Sequence, residues 1–232
     1  MKILAVSDEV VEFLYGPRLR DQFGDIDLVL GCGDLPFYYL EYIVTVLDVP
    51  LFYVPGNHDR LQQYLSDGRI IHRAEGCEVL DRRTARTPVP EKTAGGARDL
   101  LLAGLGGSMR YNNDSVHQYT ESEILSRILQ LAPRLLLNRV RRGRFLDILV
   151  THSPPRGIHD DTDLAHTGFK TFLRFMDVFR PRLLLHGHAH VYRPDVITST
   201  RYKDTQVINV YPYRTIEWPV AASPLRTASG DR

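Results

Sequence analysis

Seven short apolar runs recur along the chain, and each stops against glycine or polar residues: KILAVSD, IDLVLGCGD, PLFYVPGNHD, DLLLAGLGG, LDILVTHSPP, PRLLLHGHAH and QVINV. A strand with one wet face alternates apolar and polar residues. Unbroken apolar runs this short instead describe strands covered on both faces. Between them lie helix-like stretches: Phe37 to Leu47, Glu121 to Val140 with Thr120 as N-cap, and Thr171 to Phe179, closed off by Pro181. Strands alternating with helices, followed by strand-rich segments, predict an α/β fold with a mixed sheet or two packed sheets.

At 232 residues the chain can enclose one substantial core, so a single domain over residues 1–218 is expected. Residues 81–98, rich in charge, proline and glycine, are expected to form an exposed, mobile loop within it. The small, polar end 219–232 is expected to be disordered. The formal net charge of +1 supplies no general attraction to nucleic acid or to an anionic membrane. Cys32 and Cys77 form no CxxC pair and no disulfide framework, which suits a reducing compartment. Met1-Lys2 runs straight into the first strand pattern, without the apolar core of a signal peptide. No apolar stretch nears the ~20 residues of a membrane span. A cytoplasmic protein is the expectation. The basic stretch RLLLNRVRRGR, residues 134–144, reads as the solvated end of an amphipathic helix, where cations also suit the dipole.

The chemistry lies where the apolar runs end. Five of them deliver, in order, Asp8, then Asp34, then Asn57 with His58 and Asp59, then His152, then His188 and His190. Singly, each has a bland explanation: an aspartate after a strand is usually a turn residue or a cap, and GNHD could be a tight turn. HGHAH is harder to dismiss as packing, and the five together converge if the strand ends share one edge of a sheet. Carboxylate, amide oxygen and imidazole together suit borderline transition metals such as manganese, iron or zinc. Two such ions ~3.5–4 Å apart can clamp a phosphate and activate water between them.

In this order, SD, GD, GNHD, TH and GHAH resemble the motifs of the calcineurin-like metallophosphoesterases, over residues 8–190. The resemblance implies a four-layer α/β/β/α sandwich of two mixed β-sheets flanked by helices. It also implies hydrolysis of phosphomonoesters or phosphodiesters at a dinuclear centre of divalent ions. By the family pattern Asp34 bridges the ions, Asn57, His152 and His188 complete one site, and Asp8 and His190 belong to the other. His58 would face the scissile phosphate as a general acid rather than a ligand, with Asp59 orienting its ring.

One position departs from the pattern. The first motif is usually Asp-x-His, and its histidine is replaced here by Val10, which has no lone pair to offer. Three outcomes are open: another ligand or water fills the place, a single ion works at the intact site, or the chain has become a binding module. Glu9 points away from Asp8 and Val10 if the segment is extended. Two further residues are candidates for substrate binding. His166 lies in the loop after the TH motif, and Arg110 follows the glycines of GLGGSMRYNND. The expected substrate is a small phosphate ester, and a polymeric nucleic acid is disfavoured for want of a basic, aromatic-studded groove.

Overall fold

The computed structural model describes residues 1–64, 67–90, 99–112, 116–193 and 195–219. Strand β1 (Lys2–Val6) shows how the layers arise. Ile3 and Ala5 point to one side and Leu4 and Val6 to the other, and all four are fully buried. A strand apolar on both faces must be covered on both, and this one separates two different cores.

The first sheet runs β11 (Tyr213–Glu217), β1, β2 (Leu28–Gly31), β3 (Leu51–Tyr53), β4 (Glu78–Val79). It is parallel throughout except for β11, which is antiparallel to β1. The second runs β9 (Ser199–Tyr202), β10 (Thr205–Asn209), β8 (Leu183–His186), β7 (Ile148–Thr151), β6 (Asp99–Leu105), β5 (Thr84–Pro88). Its four inner strands are parallel and both edge strands antiparallel.

Three apolar layers hold this together. Ile3, Leu30 and Phe52 meet Leu102, Val150 and Leu185 between the two sheets. Outside the first sheet, Leu4, Val29 and Leu51 pack on α1 (Leu19–Phe23) and α2 (Phe37–Leu47). Outside the second, Leu101, Leu149 and Leu184 pack on α3 (Glu121–Arg142) and α4 (Lys170–Phe179). The order helix, sheet, sheet, helix is the four-layer α/β/β/α sandwich expected.

The three predicted helices form within two residues of their expected ends. Thr120 caps α3 as anticipated: its side chain accepts from Glu123 N–H, and the Glu123 carboxylate accepts from Thr120 N–H. The loop expected over 81–98 is corrected in part, because Thr84–Pro88 is strand β5, paired with β6. An edge strand covered on one side needs no apolar run, so TARTP carried no strand signal. Residues 91–98 and 220–232, the rest of that loop and almost all of the expected disordered tail, lie outside the described residues. Among the described residues no helix is long and apolar enough to cross a membrane.

Candidate metal centre

Parallel strands bring β1, β2, β3, β7 and β8 to one edge with their C-terminal ends together. The first three belong to one sheet and the last two to the other, so the motifs meet across the seam between sheets. The chain turns sharply where three of the site residues stand. Asp8, Asp34 and His188 all have left-handed backbones, with φ of 65°, 57° and 65°. Aspartate and histidine tolerate this region better than most residues, and such local strain gathers at functional sites. The turns are packed tightly enough to exclude side chains beside them. A Cβ at Gly187 would collide with Ser7 Oγ and the Asp8 carboxylate, and one at Gly56 with the Asp34 carboxylate.

His152 is fully buried, and its Nδ1 lies 2.8 Å from the Cys32 carbonyl. A carbonyl only accepts, so Nδ1 carries the proton and Nε2 turns its lone pair inwards. There it faces Asn57 Oδ1 at 2.9 Å and Asp34 Oδ2 at 3.2 Å. Asn57 Nδ2 donates to the Tyr111 hydroxyl at 3.3 Å, which keeps the amide oxygen towards His152. His188 donates from Nε2 to the Ala165 carbonyl at 2.7 Å, leaving Nδ1 as its lone-pair atom. Ligand atoms of Asp34, His152 and His188 lie within 4.8 Å of one another. Carboxylate, amide oxygen and imidazole lone pairs converging this closely repel unless a cation lies between them. The donor set therefore fits a divalent metal.

The electrostatics say the same. Burial disfavours a charge on His152, yet Asp34 and Asp8 raise its pKa to about 9, so without a metal a proton on Nε2 takes the cation's place between these acceptors. Burial also opposes ionisation of Asp34, but His152 and the His58 N–H hold its carboxyl down at about 2. His188, desolvated and beside His152, is lowered to about 4 and stays neutral, as a ligand must. The pocket demands positive charge.

Asp8 and His190 stand beside this group. Asp8 accepts the His188 N–H at 3.0 Å, and His190 Nε2 lies 3.6 Å from Asp8 Oδ1. The His190 ring stacks on Tyr211 at 4.7 Å between centroids, and the Tyr211 hydroxyl donates to Glu9 at 2.7 Å. The expectation that Glu9 faces away from this edge rested on an extended segment. The left-handed turn at Asp8 breaks that geometry and brings Glu9 to the His190 side. Val10 is partly buried and packs against the edge of the core between the first sheet and its helices.

Two further expectations are corrected. Asp59 does not orient the His58 ring through its hydrogen bonds. Its Oδ2 instead accepts the backbone N–H groups of Asp34 at 3.0 Å and Gly56 at 2.8 Å, pinning two motif loops together. Arg110 does not reach for an anion: it closes on both carboxylate oxygens of Glu123 at 2.9 Å and on the Gln118 carbonyl. The residue of that stretch that touches the ligand set is its neighbour Tyr111, held by Gln118 Oε1 on its backbone N–H. Sequence reasoning passed over it, since a tyrosine in a glycine-rich loop has no distinctive signature. The His166 ring is 5.2 Å from that of His188, and Asp163 holds its Nδ1 at 2.9 Å. His58 donates its backbone N–H to Asp34 at 2.7 Å and lines a cavity with Asp34, Tyr38, Asp59 and Arg60.

Fold and site together define an α/β sandwich whose converging ligand set fits a divalent metal. Residues 1–192 match the family described as calcineurin-like phosphoesterase, and the chain belongs to that family. An uncharacterized protein of Methanocaldococcus jannaschii, MJ1162, is 23% identical over 226 residues, covering 91% of this chain and 88% of its own. The crystal structure of TT1561 of Thermus thermophilus superposes with a TM-score of 0.53 at 15% identity, covering 90% of this chain and 88% of its own, a likeness of fold.

Proposed function

We propose that the chain is a metal-dependent phosphohydrolase acting on a small phosphate ester. The observation that carries this reading is the set of inward-turned lone pairs of Asp34, Asn57, His152 and His188, with His58 beside them on an open cavity. These four residues would hold the first ion. Asp8 and His190, without a third side chain at position 10, give a second and weaker position. A bound divalent ion supplies charge neutralisation on the phosphoryl oxygens and makes water a better nucleophile.

The protein's own residues do the rest. Water adds to phosphorus, the ester P–O bond breaks, and its electron pair leaves on the alkoxide. His58, exposed on the cavity, is the group placed to give that alkoxide a proton. Asp59 acts behind it by fixing the Asp34 and Gly56 backbones, and so the position of the His58 loop. His166, its ring tilted against that of His188, would border the substrate. Whether the ester is a monoester or a diester is tested directly. The purified protein, supplied with manganese, should hydrolyse p-nitrophenyl phosphate or bis-p-nitrophenyl phosphate. Metal analysis after dialysis should find about one ion retained per chain, with a second taken up only in excess metal. No hydrolysis of either compound, with His58→Ala changing nothing, sinks the reading in favour of a binding module.

A further inference from the structure

Beyond the centre, an open cavity of about 400 Å³ is walled by Arg60, Arg82, Arg83 and Arg134 over the apolar rings of Phe37 and Tyr53. Its acids are already engaged. Asp81 is held by both oxygens to Arg127 at 2.6 and 2.7 Å and also accepts Gly106 N–H. Asp59 is turned to the backbone of Asp34 and Gly56. Arg82 lies 3.8 Å from an Asp81 that Arg127 has already neutralised. Arg60, Arg83 and Arg134 have no acidic partner among the described residues. This sets Arg134 apart from its neighbours in the basic stretch. Arg142 and Arg144 are spent on Asp99 and Asp147, and Arg139 on the carbonyl that follows α3.

Four arginines line this one hollow, three of them without an acidic partner among the described residues, and an anion relieves the repulsion between them. Guanidinium forks match phosphate oxygens in pairs, so the anion best suited is a phosphate. The hollow is not remote from the reaction. Asp59 and Arg60 line both it and the cavity of about 440 Å³ that opens on Asp34 and His58. The two hollows are therefore neighbours, with the Asp59–Arg60 turn as their common wall, and the arginines lie on the side of the centre where His58 stands.

We propose that the substrate's leaving group bears a second phosphate, which seats in this arginine cavity. The proposal rests on the hydrolase reading above and narrows its substrate class. On hydrolysis the scissile P–O bond breaks, and the alcohol departs carrying the second phosphate intact.

The manganese-loaded protein is assayed for phosphate release from adenosine 3′,5′-bisphosphate and from adenosine 5′-monophosphate. We expect kcat/KM to favour the bisphosphate by about tenfold or more, mainly through KM. Arg83→Glu with Arg134→Glu, both exposed positions, should lower that ratio by about tenfold. The pair Arg83→Lys and Arg134→Lys should largely keep it. A general structural defect would depress both substrates and leave the ratio alone. Equal kcat/KM for the two compounds, or a ratio unmoved by charge reversal, overturns the proposal. If neither p-nitrophenyl ester is cleaved, the hydrolase reading falls by itself. Calorimetric titration with pyrophosphate then decides the subsite: a Kd weakened about tenfold by the double reversal upholds anion binding, and an unchanged Kd ends it.

Discussion

His58 and Val10 carry the sharpest tests, because each separates metal binding from something else. His58 is on the cavity but its hydrogen bond to Asp34 comes from the backbone, so removing the imidazole leaves the ligands in place. His58→Ala should lower kcat by about 10²–10⁴ while metal content, measured by atomic absorption, stays the same. Val10 is partly buried against the edge of the core between the first sheet and its helices, so an imidazole there meets apolar neighbours. Val10→His should therefore add no bound metal and should cost about 1–2 kcal/mol, a fall in Tm of roughly 3–6 °C by calorimetry. A rise in retained manganese would mean that position 10 does face the ions. The aspartates and histidines at the strand ends were legible in sequence because their types and order are chemically unusual. Their partners were not. Nothing in the order of residues says that Asp59 turns to two backbone N–H groups, or that Arg110 finds Glu123, since those pairings depend on where other segments come to lie.

At the scale of elements, two features of the second sheet's side are open to measurement. The capping box of α3 joins Thr120 to Glu123, and Thr120→Ala should cost about 1 kcal/mol in urea unfolding. Beneath the GHAH turn, His159 Nδ1 meets His186 Nε2 at 2.9 Å, while His159 Nε2 takes the Thr200 hydroxyl at 2.9 Å. Burial keeps both neutral, lowering His186 to about 3 and His159 to about 4. The unfolded chain binds protons on them from near the ordinary histidine value of ~6.5, so stability is full above that pH. As pH falls from ~6.5 towards 4, the unfolded state takes up protons that the fold refuses, and stability declines. Tm should thus drop between pH 7 and pH 5, and His159→Gln should flatten the decline. The strands and helices themselves were readable from apolar runs and caps. Strand β5 was not, because an edge strand with one covered side needs no apolar run.

For the whole molecule, the centre bridges the two sheets. Asp34 and Asn57 follow strands of the first, and His152 and His188 follow strands of the second. A metal held by all four ties the sheets at their seam and binds only the folded chain. At ~100 times its Kd, such an ion adds about 2.7 kcal/mol, so chelation should lower Tm by roughly 5–10 °C. A Tm indifferent to chelator and to added manganese would speak against a resident ion. The sequence by itself determined that the strands are covered on both faces, because unbroken apolar runs leave neither face to water; the count of four layers followed from the family resemblance. It also determined the class of chemistry, because few arrangements other than a metal centre account for that ordered set of ligand types. Only the tertiary structure decided that Val10 packs against the first sheet's outer core, that Tyr111 replaces Arg110 at the centre, and that Arg134 joins Arg60, Arg82 and Arg83 around one hollow. Local pattern constrains a backbone segment by segment. Which side chains face each other depends on how distant segments pack, and the electrostatics of a site exist only once they have.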